Sequence, residues 1–242
     1  MLYLIGLGLD LKDISLKALE AIKKCSKLYL EIYTTFLPYK KAELEKTIGK
    51  KVAIAVRETV ENKSREFVKE AKKRNVALLV YGDPLAATTH ISLLQEAKKA
   101  KVNVKVLHNS SIFNAISETG LQLYKFGKTA SIPKWHKSYE PTSFFDIVKD
   151  NLKINAHTLL LVDIDLSFNE ALHELEKASK GKVDNIIVCS RLGTDEQYIV
   201  YSTLKELIKN KKIHPKIKEP FCFIIPATLH FTEAEFLELL IK

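Results

Sequence analysis

The segment that most restricts the fold is residues 76–81, VALLVY, six consecutive apolar or aromatic side chains that end on Gly82-Asp83-Pro84. A strand covered on both faces reads as a continuous apolar run, whereas a half-exposed strand alternates. Amphipathic helical patterns flank this run at 61–74 and 88–100. Strands alternating with helices around a doubly covered strand indicate a mostly parallel sheet clothed by helices. The rest of the first half repeats the pattern, with strands expected at 2–5, 28–33, 52–56 and 102–107 and a helix at 12–24.

The second half is less regular. Helices are expected at 111–119, 144–151, 167–178, 204–209 and 232–241, and strands at 158–163, 185–190, 198–202 and 221–225. Residues 120–141 read as an aromatic loop. The short spacing between 185–190 and 198–202 predicts a hairpin, and hence a mixed sheet. A division near 107–111 follows, giving lobes 1–109 and 110–242. A chain of 242 residues is long enough for two small lobes with real cores.

No apolar run approaches the roughly 20 residues that span a bilayer. The start, MLYLIG, lacks a basic leader and reads as a strand, so a cytoplasmic protein is expected. Cys25, Cys189 and Cys222 show neither disulfide nor zinc spacing and read as buried thiols of a reducing compartment. The histidines form no metal-ligand pattern, and no metal is expected. Of the 38 basic residues only Arg57, Arg65, Arg74 and Arg191 are arginine. Lysine suits solvated helix faces, and the net charge of +9 favours an acidic partner, either RNA or an acidic protein.

The chain has only eight glycines, and several of them sit at strand ends. Gly6-Leu7-Gly8 follows the first strand, where a ligand could approach the backbone closely, or where the chain simply turns tightly. A dinucleotide fingerprint would need glycine at position 11, where Leu11 stands, although Glu31 lies where a ribose-binding acid could sit. Gly82-Asp83-Pro84 closes the most buried strand, and loops at the carboxyl ends of parallel strands are where α/β proteins bind ligands. Thr88-Thr89 offers an N-cap for the next helix, as does Ser110 or Ser111 after His108-Asn109. Arg191 ends another strand, as a ligand or as one arm of a surface salt bridge. Trp135 is either a core anchor or a substrate-side aromatic.

These segments resemble the tetrapyrrole-methylase-fold family of methyltransferases, most closely its archaeal diphthine synthase branch. The resemblance runs the length of the chain: YLIGLGL at 3–9, GDPLAATTH at 82–90, HNSSIFNAI at 108–116, TGLQLYKFGKTASIP at 119–133, PTSFFDIV at 141–148, HTLLLVDI at 157–164 and IIPATLHFTEAEFLE at 224–238. It implies two α/β lobes, the first with a mostly parallel sheet and the second with a mixed one. It also implies S-adenosylmethionine folded into a cleft between the lobes, and a homodimer. Cofactor contacts carry over onto Leu9, Asp83, Ala86, Ser111, Ile112, Val162, Leu192 and Phe221. Three of these depart from the family's usual residues: Ala86 from a larger aliphatic, Val162 from leucine and Phe221 from histidine.

The implied reaction is trimethylation of the amino group on a 3-amino-3-carboxypropyl-histidine of translation elongation factor 2. Arg191, Tyr124 and Trp135 are candidates to hold that arm, because it bears a carboxylate and an aromatic wall would bound it. No general base is assigned. A tetrapyrrole or ribosomal RNA substrate on the same fold stands as an alternative. So does a basic RNA- or protein-binding module without activity.

Overall fold

The computed structural model describes residues 1–240. The chain divides into two compact units, Met1–Phe113 and Asn114–Lys242.

The first unit carries strands β1 (Leu2–Gly6), β2 (Lys27–Glu31), β3 (Ala53–Ala55), β4 (Val76–Val80) and β5 (Val104–Leu107). All pair in parallel, in the order β3-β2-β4-β1-β5. The central β4 is fully buried, as its unbroken apolar run demands. Alternate residues of β4 serve opposite faces. Ala77 and Leu79 pack with Ala18, Ile22 and Leu44. Val76, Leu78 and Val80 pack with Phe67, Val68 and Leu93. These partners lie on helices α1 (Leu16–Lys24), α2 (Lys41–Ile48), α3 (Ser64–Lys73) and α4 (Ile91–Lys99), two to a face.

Local chemistry shifts the helix starts. The helix expected from residue 12 is interrupted, because Asp10 caps a single 3-10 turn at Leu11–Asp13 and Ser15 then caps α1. A π-turn at Glu58–Asn62 precedes α3. The helix expected from residue 88 begins at Ile91. His90, without a side-chain cap bond, takes the cap position, while the Thr88 and Thr89 hydroxyls donate to Pro84 O (2.6 Å) and to Glu61 (2.6 Å). The sequence reading missed α2, although Leu44 and Ile48 at helical spacing, followed by Gly49, mark a short helix.

In the second unit the expected helix 111–119 is α5 (Ile112–Ala115), which straddles the division, continued by a 3-10 turn. Next come β6 (Ala130–Ile132), α6 (Ser143–Lys153), β7 (Thr158–Val162), α7 (Phe168–Ser179), β8 (Asn185–Ser190), β9 (Tyr198–Thr203), α8 (Leu204–Lys209), β10 (Phe221–Ile225) and α9 (Phe231–Glu238). The order is β6-β7-β10-β8-β9, with β6–β7 parallel and the other pairs antiparallel. The expected hairpin is β8–β9, and the sheet is mixed. The short β6 lies inside the expected loop and exists by pairing Ala130 with Leu160. Phe144, Val148, Leu172, Leu175 and Leu207 close one face of the sheet over Val188 and Phe223. Ile241, expected in the last helix, lies outside the described residues. No described helix is long and apolar enough to cross a membrane.

Candidate functional site

In the first unit β1 lies between β4 and β5, so the loops leaving the carboxyl ends of these strands are neighbours. The chain binds itself tightly there. Gly82 N donates to Gly8 O (2.9 Å), and Gly8 N to Gly82 O (3.2 Å). A Cβ on Gly6 would sit 2.6 Å from the carbonyl oxygen of Gly82. Gly8 has φ +77°, and its Cβ would fall 2.3 Å from Cβ of Asp13. Both glycines therefore serve close approach of chain to chain, so packing alone requires them. Asp13, which the motif reading passed over, ties these loops together. Its carboxylate accepts from Leu9 N (2.9 Å), Asp10 N (3.0 Å) and Ser110 Oγ (3.3 Å). Asn109 Nδ2 adds bonds to Gly6 O and Asp13 O. Glu31 is not free to meet a ribose: it is buried, and it accepts from Tyr33 N and from Thr34 N and Oγ1.

Asp83 sits at the centre of this loop cluster. One oxygen accepts from Leu85 N (2.9 Å), and the other from His108 Nδ1 (2.8 Å) and Asn109 N (3.1 Å). A carboxylate with three donors holds the loops after β4 and β5 in one arrangement. Leu9, Asp83, Ala86, Ser111 and Ile112 all lie on this cluster of segments, with Leu9, Asp83 and Ser111 largely buried.

The second unit gathers another set. In the β10 register Phe221 pairs with Ser190 and Cys222 with Leu161, so Val162, Phe221 and the residues after Ser190 share one end of the sheet. Leu192 is buried there, and Phe221 stacks edge-on against Phe168. Arg191, with φ +50°, donates through Nε to Glu219 O (2.8 Å) and pairs with Glu196. Trp135 follows β6 at the same end but three strands away from β8. It packs on the core and donates through Nε1 to Pro141 O (3.1 Å). Tyr124 is exposed and lies near His157, at the start of β7 and the opposite end of the sheet. The candidate substrate residues Arg191, Trp135 and Tyr124 therefore do not share one neighbourhood within this unit.

That opposite end holds a polar network that motif spacing could not reveal. Glu233 is fully buried. Its Oε1 accepts from Gln122 N (2.9 Å) and faces His157 Nε2 (3.2 Å), and its Oε2 accepts from Lys125 Nζ (2.5 Å) and His230 N (2.8 Å). Ala227 N donates to His157 Nδ1 (2.9 Å), so Nε2 carries the ring proton and donates to Glu233. Burial pushes the Glu233 carboxyl up, but these donors outweigh it and hold the group at about 2. Burial lowers His157, with Glu233 opposing. The segments 119–133, 157–164 and 224–238 are thus locked to one another through side chains from all three.

A sequence profile of the family described as Tetrapyrrole (Corrin/Porphyrin) Methylases matches residues 1–208. The human diphthine methyl ester synthase is 48% identical over 88% of this chain and 72% of its own length. The diphthine synthase of Methanococcus maripaludis (strain C6) is 38% identical over 100% of this chain and 99% of its own. The likeness therefore extends to eukaryotic as well as archaeal relatives. A crystal structure of diphthine synthase superposes with a TM-score of 0.91 at 34% identity, covering 100% of this chain and 96% of that one. On these grounds the chain belongs to the tetrapyrrole (corrin/porphyrin) methylase family, in the branch whose members are named diphthine synthase and diphthine methyl ester synthase.

Proposed function

We propose that this protein transfers methyl groups from S-adenosylmethionine to the amino group of a 3-amino-3-carboxypropyl-histidine on translation elongation factor 2, giving diphthine. The observation that carries this reading is the match, along the whole chain, to a protein named diphthine synthase. Neither a tetrapyrrole, nor ribosomal RNA, nor a binding role without catalysis has comparable support. Action in the cytoplasm as a homodimer belongs to the same proposal.

The loop cluster of the first unit suits a small polar cofactor. Its backbone is held by Asp83, Asn109 and Asp13, so its groups can meet a ligand without reorganising. Leu9, Asp83, Ala86, Ser111 and Ile112 are the residues proposed to hold S-adenosylmethionine in this unit, with Asp83 acting largely through the loops it orders. The same role is proposed for Val162, Leu192 and Phe221. When bound, S-adenosylmethionine would supply an already activated methyl group, passed to the amine nitrogen with S-adenosylhomocysteine as the leaving group. The protein's task is therefore orientation and exclusion of water. The nucleophile is the neutral form of the arm's amine, and no residue of the chain is assigned as its base. Arg191 is the residue proposed to meet the carboxylate of the arm.

A second reading adds esterification of that carboxylate. It is raised by the relatives that carry the name diphthine methyl ester synthase, the human protein among them. One experiment addresses both readings. Elongation factor with and without the aminocarboxypropyl arm is incubated with protein and S-adenosylmethionine, and the target peptide is read by mass spectrometry. Methylation confined to the arm-bearing factor supports the proposal, and equal labelling of both forms refutes it. Methyl groups lost on mild alkaline hydrolysis mark the ester.

A further inference from the structure

We infer that His90 is a positioning residue for the loop that follows β4, and that Tyr33 fixes the tautomer in which it works. The inference rests on the proposed cofactor role of that loop.

The loop needs support. Ala87 has φ +56°, in the left-handed region that a side chain makes unfavourable. Such a conformation persists only where its surroundings impose it. Here the anchor is the carbonyl oxygen of Pro84. It accepts from Thr88 Oγ1 (2.6 Å) and lies 2.9 Å from Nδ1 of His90. These two bonds close residues 84–90 on themselves and place Ala86 and Ala87 at the turn.

The proton on His90 follows from its partners. A carbonyl oxygen can only accept, so Nδ1 carries the hydrogen. In the neutral ring Nε2 is then an acceptor, and it faces the hydroxyl of Tyr33 at 3.3 Å, which donates to it. Burial, with Glu31 next in effect, pushes the Tyr33 phenol well above its ordinary value, so it keeps the proton it donates. His90 is fully buried and Glu31 is nearly so, with 3.9 Å between Nε2 and Glu31 Oε2. The carboxylate of Glu31 is already satisfied by residues 33 and 34, which leaves Tyr33 as the hydroxyl that sets the tautomer. A chain of contacts thus runs from the segment after β2, through Tyr33 and His90, to the backbone of the loop after β4.

His90 touches neither reacting atom in this scheme, so its loss falls on cofactor affinity rather than on the chemical step. The test measures the Kd of S-adenosylmethionine by calorimetry, with KM and kcat, in wild type, H90A, H90N, Y33F and the double variants H90A/Y33F and H90N/Y33F. Wild-type binding checks the cofactor reading by itself, and its absence would sink that reading whatever His90 does. Given wild-type binding, H90A should raise Kd and KM roughly tenfold and leave kcat at saturating cofactor within about threefold. Asparagine places an amide N–H where Nδ1 stands, so H90N should recover most of the affinity. The near-isosteric Y33F keeps the packing and should weaken binding about two- to fivefold. Because Tyr33 acts through His90, Y33F should add nothing on the H90A background. Wild-type Kd in both H90A and Y33F, or effects that simply multiply in the double variant, would overturn the inference. If H90A does not fold, Y33F against H90N/Y33F decides: a Y33F effect that persists undiminished on the H90N background overturns it.

Discussion

Replacing Glu233 by glutamine tests the buried network of the second unit. Glutamine keeps the shape but offers one acceptor oxygen, where the carboxylate serves Gln122 N, His230 N, Lys125 and His157. At least one of these donors then loses its carboxylate partner, and the partly exposed Lys125 ammonium keeps only Thr228 O (3.0 Å). Removing one side of a buried ion pair costs about 3–5 kcal/mol. Proton linkage yields a similar figure. The Glu233 carboxyl lies at about 2 against an ordinary 4.5, and at about 1.4 kcal/mol per unit this contributes roughly 3 kcal/mol. Because this folded-state value is depressed, the contribution is complete above pH 4.5 and is lost as pH falls through about 2. The lowered His157 acts in the same direction, since the unfolded chain takes up its proton first as pH falls below 6.5. The assay is urea unfolding followed by the fluorescence of Trp135, the single tryptophan, which packs on the core of this unit. At pH 7 the variant should lose about 3–5 kcal/mol, and its stability should depend less on pH between 4.5 and 2 than that of wild type. A loss below about 1 kcal/mol, or an unchanged acid limb, would refute the reasoning.

Other outcomes follow from the same contacts. G8V forces a β-branched residue to φ +77° with its Cβ against Asp13. It should lower stability by about 2–4 kcal/mol in thermal melts, and a variant that melts like wild type would contradict the packing role. D83A removes the acceptor for His108, Asn109 and Leu85, and should weaken S-adenosylmethionine binding roughly ten- to a hundredfold by calorimetry in a protein that still folds. An unchanged Kd would detach Asp83 from the site. Burial raises the Cys25 thiol to about 11, and a hydrogen bond with Cys222 together with burial raises Cys189. Both should resist iodoacetamide at neutral pH in the native protein and react once it unfolds. Rapid native labelling of either thiol would be the contrary result.

The parts of the fold legible in the sequence are those decided by short-range pattern. The apolar run at 76–81 specified a doubly covered strand, because burial on both faces leaves no polar position. The spacing of 185–190 and 198–202 predicted a hairpin, because so short a link joins only antiparallel strands. Asp83 stood out because Gly, Asp and Pro together at a strand end constrain the backbone strongly. The rest depended on partners distant in sequence. Three residues at 130–132 have no pattern of their own and are a strand only because β7 offers its edge. Gly6 and Gly8 admitted either a ligand or a tight turn, and only the tertiary structure shows that a Cβ on Gly6 would meet Gly82 and one on Gly8 would meet Asp13. Glu233 falls in the helix expected at 232–241, where no pattern marked it, yet it is fully buried, with Lys125, His157 and Gln122 lying 76 to 111 residues away in sequence and beside it in space. Periodicity reports which face of an element avoids water. Which polar groups satisfy one another in the interior is a property of the tertiary packing, because a buried charge is stable only where several chain segments deliver its partners together.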